Sequence, residues 1–207
     1  MKAAFSLVLL SLATSLCAQD FCGTIKLTIS KNGQTAPTIM YACGEDFLVR
    51  YDLKANGTTT QTDFLGNTST GKSFLRSNLG GKEFAVEVKD ADIASNLGIA
   101  NTTLTGEKLQ ISGFNCELIK ILHADGSVTE AWISKDAGID FGKLSKFLKD
   151  DAASAAINKM GISATPIKSS TKDKNGFENY SFQIQSVEKG TVDKKLFEVS
   201  VQPIQTK

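Results

Sequence analysis

Four cysteines and one histidine are the residues of this 207-residue chain whose chemistry is most distinctive. A cysteine nucleophile needs a histidine base, and His123 lies seven residues after Cys116 along one predicted strand. An extended strand rises about 3.3 Å per residue, which separates these two side chains by about 23 Å. Cys116 is therefore predicted to be a free, buried or partly buried thiol. His123 is predicted to be an exposed loop residue, and no catalytic residue, cofactor site or metal ligand is predicted.

Cys22 and Cys43 are predicted to form a disulfide across a β-hairpin. Asn32-Gly33 is a two-residue turn signal, since both residues tolerate the positive φ of a type I′ turn. With this turn at the tip, Cys22 lies opposite Cys43 at a non-hydrogen-bonded site, where Cα atoms approach most closely. The same register places Pro37 opposite Thr28 at another such site, where a missing N–H is tolerated. No neighbouring charge favours a redox role for this pair.

The segment Gly66–Ser73 matches the pattern of a phosphate-binding loop, G-x-x-x-x-G-K-[ST]. Such a loop lies between a strand and a substantial helix whose N-terminal N–H groups hold the phosphates. Here Leu79-Gly80-Gly81 follows within two helical turns, and no apolar strand ending in Asp supplies a magnesium ligand. The segment is predicted to be a polar hairpin loop that binds no nucleotide.

Two short Asp- and Gly-containing segments, Ala124–Ser127 and Asp173–Gly176, lack the spaced acidic ligands of a calcium loop. Both are predicted to be turns, with Asp125-Gly126 and Asn175-Gly176 as two-residue tips. If Asp125-Gly126 sets the register, Trp132 lies opposite Ile119, either as sheet packing or as a pocket wall.

Composition indicates one globular domain, with 41% hydrophobic residues and 22% charged residues. The 23 Lys and Arg nearly balance the 22 Asp and Glu, which excludes a nucleic-acid binder that depends on a basic surplus. A disordered tail protein is excluded as well, because such chains are poor in apolar residues.

The segment Met1–Ala18 is typical of a secretory signal peptide, with an early Lys, an apolar run and small residues before the cleavage site. Cleavage after Ala18 leaves one mature domain, residues 19–207. Cys17 leaves a lipoprotein open as an alternative, although the preceding Thr14-Ser15-Leu16 departs from the usual pattern. No later segment is apolar enough to span a membrane. The chain is predicted to be exported to the periplasm, the outer membrane or the medium, where disulfides persist.

Short β-rich segments dominate the rest of the chain and predict an α+β fold, a curved antiparallel sheet packed on helices. The predicted strands after the first hairpin are Phe47–Lys54, Thr58–Phe64, Ser73–Ser77, Phe84–Val88, Leu104–Ile111, Glu117–Leu122, Val128–Ser134, Pro166–Ser170, Asn179–Val187 and Leu196–Val201. An apolar stripe predicts one main helix over Asp140–Met160, closed by Gly161 as its C-cap, and Asp90–Leu97 is predicted to be a shorter helix.

Three segments resemble a family of exported proteins of unknown function, found mostly in Bacteroidota. Gly23–Tyr41 resembles its opening hairpin, and Ile111–Asp136 resembles its Gly-aromatic-x-Cys strand and Trp-bearing hairpin. Pro166–Ser200 resembles its closing hairpin with a Leu-Phe-Glu ending. The resemblance spans nearly the whole mature chain. Two segments depart from the family pattern: Ser200-Val201-Gln202 replaces a Pro, Gly and aromatic ending, and Phe47–Tyr51 replaces a Met-rich strand.

The family is similar in architecture to the periplasmic lipoprotein-carrier (LolA/LolB-like) fold, a half-barrel sheet whose concave face is covered by helices. This resemblance implies an apolar cavity between the sheet and the helix Asp140–Met160. The candidate wall residues of this cavity are Trp132, Leu144, Phe147 and Leu148. The leading hypothesis is a non-enzymatic envelope protein that binds a lipid or an acylated protein there. The alternative is a protein-interaction or structural module with a filled core and an exposed apolar patch or sheet edge.

Overall fold

The computed structural model describes residues 21–55, 58–79, 82–88, 98–139 and 152–199. Several predicted features lie outside the described residues: the signal peptide Met1–Ala18 with Cys17, the short helix Asp90–Leu97, and the first part of the main helix with Leu144, Phe147 and Leu148.

Eleven antiparallel strands form one curved, unclosed sheet in this part of the chain, which confirms the predicted α+β fold class. The strands are β1 Cys22–Lys31, β2 Gln34–Cys43, β3 Asp46–Ala55, β4 Thr58–Asn67, β5 Ser73–Leu79, β6 Lys82–Val88, β7 Ile99–Ile111, β8 Phe114–His123, β9 Val128–Ser134, β10 Thr165–Lys172 and β11 Glu178–Lys189. Their order is β6-β5-β4-β3-β2-β1-β11-β10-β9-β8-β7, so two meanders meet where β1 pairs with β11.

The helix α1, Ala152–Met160, packs against the sheet and ends at the predicted glycine. Gly161 has a φ of 65°, its N–H donates to the carbonyl of Asn158, and the N–H of Ile162 donates to the carbonyl of Ile157. These two bonds form a Schellman motif, in which glycine avoids the strain of the left-handed conformation. The predicted C-cap is confirmed.

The predicted strand Leu196–Val201 is wrong, because Lys194–Phe197 forms a short 3₁₀ helix. The carboxylate of Asp193 accepts a hydrogen bond from the N–H of Lys195, at 3.0 Å, and caps this turn. A local side-chain cap of this kind competes with strand pairing. Leu196 and Phe197 are half-buried within this turn, so their apolar side chains pack there and not in a strand.

The first hairpin has the predicted turn and register. Asn32 and Gly33 have φ of 50° and 78°, as a type I′ turn requires, and Pro37 lies opposite Thr28. Cys22 lies opposite Cys43, their Cα atoms are 3.9 Å apart, and the two residues form the predicted disulfide.

The other two predicted hairpin tips, at Asp125-Gly126 and Asn175-Gly176, contain three residues instead of the predicted two. The N–H of His123 donates to the carbonyl of Ser127, and the carboxylate of Asp125 accepts the N–H of Ser127. Only Gly126 is left-handed, with a φ of 83°, as in a type I turn with a G1 bulge. The register therefore moves by one residue, and Trp132 lies opposite Leu118 instead of Ile119.

The tip after β10 repeats this arrangement. Asp173 accepts the N–H groups of Asn175 and Phe177 on its carboxylate, and Gly176 alone is left-handed, with a φ of 86°. In both tips an Asp side chain stabilises the first half of the turn, which selects a right-handed turn followed by one left-handed glycine.

A buried ion cluster fixes the C-terminal segment to the strands β3–β5. The carboxylate of Asp63 accepts from Arg50 at 2.8 and 2.9 Å and from Arg76 at 2.8 Å. Burial alone would raise the pKa of Asp63, but the two guanidinium groups lower it overall. Arg76 also donates to the carbonyls of Leu196 and Glu198, which ties the 3₁₀ helix to the sheet.

Two clusters of buried apolar residues form the described core. The larger one joins both meanders and contains Ile25, Met40, Ala42, Phe47, Ile111, Cys116, Ala137, Ile139, Ile167 and Ile184. The smaller one lies between α1 and strands β8 and β9 and contains Ile119, Ile121, Ala131, Ile133, Ala152, Ala153, Ala156, Ile157 and Ala164.

Replacing both Cys22 and Cys43 with serine is expected to lower the free energy of unfolding by about 3 kcal/mol, because the disulfide restricts the unfolded chain. The bond joins residues 21 positions apart. Urea denaturation of the mature protein measures the change. Adding dithiothreitol is the control: the parent and the variant are then expected to unfold at the same urea concentration. Equal stability without reductant would contradict the expectation.

Candidate ligand-binding groove

A groove of 610 Å³ lies at the end of strands β7, β8 and β9. Its described lining consists of Lys108, Leu109, Gln110, Asn115, Cys116, Glu117, Ile133, Lys135 and Asp136. Ligand pockets in proteins usually have volumes of about 300–1,000 Å³. The groove is therefore large enough for a small molecule or for part of an extended chain.

Strand register brings the lining residues together. Leu109 lies opposite Cys116, Lys108 lies opposite Glu117, and Glu117 lies opposite Ile133 on the next strand. The pairing of β7 with β8 shifts between Leu104 and Lys108, so the end of β7 is re-aimed relative to its first half. A bulge of this kind bends the strand locally and redirects its side chains.

The groove has an apolar base and a polar rim. Cys116 and Ile133 are buried, whereas Leu109 is 52% exposed and supplies apolar surface closer to solvent. The rim residues Lys135 and Asp136 are exposed, and Asp136 accepts a hydrogen bond from Asn115. An amphipathic ligand can place apolar groups on the base and polar groups at this rim.

The groove lies between the two core clusters, because Cys116 belongs to the larger cluster and Ile133 to the cluster under α1. Directly under the described part of α1 the packing is tight: Ala153, Ala156, Ile119 and Ala131 are fully buried. The resemblance implied a cavity between sheet and helix. Where the helix is described, side chains fill that space, and the described groove lies at the β7–β9 end.

Trp132, the described member of the predicted cavity wall, is half-buried and packs against the larger core cluster. The other three predicted wall residues lie outside the described part of the chain. The wall assignment stays a prediction. The β7 side of the groove was not predicted from the sequence, although Gly106 interrupts a predicted strand there and has a φ of 80°. A glycine inside a strand pattern is a signal for a bulge.

Cys116 is a buried free thiol, as predicted. Burial raises the pKa of the Cys116 thiol, with a smaller contribution from the negative charge of Asp136. The Sγ atom lies 3.5 Å from the carbonyl of Phe114, to which it donates. A thiol held in its protonated form is a poor nucleophile at neutral pH, so its contribution to the groove is apolar surface.

His123 is buried, with 5% of its surface exposed, so the prediction of an exposed loop residue is wrong. Strand β8 extends one residue beyond the predicted Leu122, and His123 pairs with Ile99 on β7. Its Nε2 lies 2.8 Å from Thr129 Oγ1, which lies 2.8 Å from Thr171 Oγ1. Its Nδ1 has no hydrogen-bond partner among the described residues. Burial lowers the pKa of His123, although the negative charge of Asp125 opposes that shift.

The phosphate-loop match at Gly66–Ser73 is a hairpin turn between β4 and β5, as predicted. Gly66 leaves room for the ring of Phe47, which would collide with any Cβ at that position. Ser73 begins β5, is buried, and donates to the carbonyl of Val88 at 3.2 Å. Sheet packing therefore explains the glycine and the serine of the pattern.

The acidic groups also have structural roles in the two predicted turns, Ala124–Ser127 and Asp173–Gly176. The carboxylates of Asp125 and Asp173 accept hydrogen bonds from N–H groups of their own turns. Within the described ranges, no three His, Cys, Asp or Glu residues come together in a way that could hold a metal ion. No helix in these ranges has the length and apolar character needed to cross a membrane.

The described residues form an unclosed, curved antiparallel sheet packed by a helix. The family model described as "Domain of unknown function (DUF4412)" matches residues 21–202. The chain belongs to this family. No curated protein sequence matches it.

Solved structures support the fold. A chain of the Pseudomonas aeruginosa MucA/MucB complex superposes with a TM-score of 0.51 at 13% identity, covering 88% of this chain and 57% of that one. This protein thus spans just over half of that relative. An uncharacterised conserved protein from Thermus thermophilus gives a TM-score of 0.55 at 8% identity, covering 91% and 89%. A candidate outer membrane lipoprotein-sorting domain from Vibrio parahaemolyticus, at 9% identity and covering 87% and 89%, superposes too loosely to support an inference, with a TM-score of 0.36.

The imidazole of His123 is expected to titrate below its ordinary pKa of 6.5, because burial disfavours the charged form. It is the only histidine of the chain, so its NMR resonances need no assignment. Since the pKa is lowered on folding, His123 favours the folded state above pH 6.5, and this contribution is lost as the pH falls toward the folded-state pKa. The variant His123→Gln is expected to lack that loss in urea denaturation. The pKa is measured by following the His123 resonances by NMR as the pH is changed. A titration midpoint at or above pH 6.5 would contradict the expectation.

Proposed function

We propose that this protein is a non-enzymatic, exported envelope protein that binds an apolar chain, from a lipid or an acylated protein, in the β7–β9 groove. The observation that carries the proposal is the groove itself, 610 Å³ in volume with the buried side chains of Cys116 and Ile133 at its base. Export rests on the predicted signal peptide Met1–Ala18.

The composition of the groove favours a chain over a compact polar ligand. Burying one methylene group contributes about 0.8 kcal/mol, so affinity comes mainly from the length of chain that reaches the apolar base. The rim carries charges of both signs, Lys108 and Lys135 with Glu117 and Asp136. A polar headgroup can stay hydrated there while the chain enters, which avoids the cost of burying an unpaired charge.

The chemistry of the described side chains favours binding over catalysis. Cys116 is held as a thiol by burial, and His123 engages Thr129 through Nε2. Cys116 and His123 are seven residues apart on β8, so the imidazole is too far away to act as a base for the thiol. The architecture supports the proposal by analogy, because curved sheets of this kind are similar to lipoprotein carriers.

Leu109→Trp is expected to weaken binding of a fluorescent fatty acid at least tenfold, about 1.4 kcal/mol, because the indole fills the groove from its exposed side. Leu109 is 52% exposed, so the substitution leaves the buried core in place. Fluorescence titration of the mature protein measures the affinity.

Leu104→Trp is the matched control. Leu104 also lies on β7 and is 44% exposed, but it is outside the described lining of the groove. This variant is expected to bind the probe like the parent protein. Native mass spectrometry of detergent-free protein from its own envelope then identifies the natural ligand. Absence of probe binding, together with a bare-chain mass, would overturn the proposal and favour the interaction module.

A further inference from the structure

The sheet ends in two edge strands that differ in how they are protected. Among the described strands β6 and β7 each have a neighbour on one side only. An unpaired edge exposes backbone N–H and C=O groups that can pair with another chain, and proteins usually block it with bulges, charges or prolines. The edge that lacks such a block is a candidate docking surface.

Strand β7 is blocked by irregularity. Its pairing with β8 shifts twice, between Ile99 and Asn101 and again between Leu104 and Lys108, and Gly106 is left-handed. Strand β6 pairs with β5 without interruption from Lys82 to Val88. It therefore offers seven residues of regular, unbulged edge.

The side chains of β6 alternate in character across its two faces. Phe84 and Val86 lie on one face and are 45% and 50% exposed, and Leu75 on β5, which lies opposite Val86, is 38% exposed. The other face carries the exposed carboxylates Glu83 and Glu87 on either side of the small Ala85. Between positions 83 and 87, one face of the edge is thus apolar and the other is acidic, and Lys82 precedes this segment on the apolar face.

Arg76 forms the ion pair that the described structure gives Glu83, but its hydrogen bonds go to other groups. Arg76 lies opposite Ala85 on β5, and its guanidinium binds Asp63 and two carbonyls of the C-terminal segment. The Nε atom of Arg76 lies 3.7 Å from the carboxylate of Glu83, whose side chain is 54% exposed, so this long, partly solvated ion pair contributes little.

We propose that β6 accepts an extended peptide as a twelfth strand, and that the peptide alternates basic and apolar residues. The pattern that complements positions 83–87 is basic, apolar, small, apolar, basic. Backbone hydrogen bonds would supply affinity and the alternating side chains would supply specificity. This site is distinct from the groove, since β6 and β7 lie at opposite ends of the sheet order.

Charge argues against a second copy of this chain as the occupant. Antiparallel self-pairing centred on Ala85 would place Glu83 of each copy opposite Glu87 of the other. Like charges directly opposite each other in a sheet are destabilising. A basic partner strand removes this repulsion and forms two opposite-charge pairs instead.

The test uses the mature protein and a labelled nine-residue peptide with the central sequence Lys-Val-Thr-Ile-Lys. Fluorescence anisotropy measures the affinity, and ¹⁵N NMR locates the perturbed amides. We expect binding that perturbs the β6 amides and is lost with a scrambled peptide of the same composition. The double variant Glu83→Lys with Glu87→Lys is expected to weaken binding about tenfold and to bind the matching Glu-Val-Thr-Ile-Glu peptide instead.

Glu107→Lys, an exposed change on the blocked edge strand β7, is the matched control and is expected to leave peptide binding unchanged. Leu109→Trp is expected to leave it unchanged as well, which keeps this test separate from that of the groove. The proposal is overturned if the peptide does not bind, if the perturbed amides lie outside β5 and β6, or if the scrambled peptide binds equally. Self-association through β6 at the concentrations used would also overturn it.

Discussion

The antiparallel pairing of β1 with β11 holds the two halves of the sheet together. Strands β2–β6 continue outward from β1, and strands β10–β7 continue outward from β11. Ile25 on β1 and Ile184 on β11 belong to the same buried cluster, so the ladder and the core form together. Gly23 is essential to this approach, because a Cβ there would collide with the backbone carbonyl of Glu188. The strands that meet here come from opposite ends of the chain, so this contact carries the largest loop-closure cost.

The position of both candidate surfaces follows from that central pairing. In each half, strands that follow one another along the chain are neighbours in the sheet, so the strand furthest from the centre becomes an edge: β6 on one side and β7 on the other. The groove forms where the bulged end of β7 lies beside β8 and β9, next to the contact of both core clusters. The regular edge of β6 lies at the far end of the sheet order. The chain-like ligand and the peptide strand that we propose would therefore use different residues.

The first hairpin could be predicted from the residues of its turn. Each of the other two predicted tips depends instead on an Asp carboxylate that accepts hydrogen bonds within the turn. At Asn32-Gly33 both residues are left-handed, and the predicted register held to the disulfide. At Asp125-Gly126 the carboxylate bonds to Ser127, and the extra loop residue moves Trp132 by one position. His123, which the sequence placed in a loop, is instead the last residue of β8 and is buried. The groove could not be predicted from the sequence pattern, because its lining comes from three strands whose relative register depends on bulges. Only the glycine within β7 pointed to one of them.

Cys116 and His123 are the two most reactive side chains of the C-terminal meander, and both are buried. The pKa of Cys116 is raised and that of His123 is lowered, so at neutral pH both shifts favour the uncharged form. An uncharged thiol is compatible with an apolar groove base, and a neutral imidazole bonded to Thr129 is compatible with a tightly packed sheet. Catalysis by this pair would need the opposite shifts, a thiolate and a nearby protonated base. The electrostatics of the described chain thus agree with its geometry, because neither prepares Cys116 and His123 to act together as a nucleophile and its base.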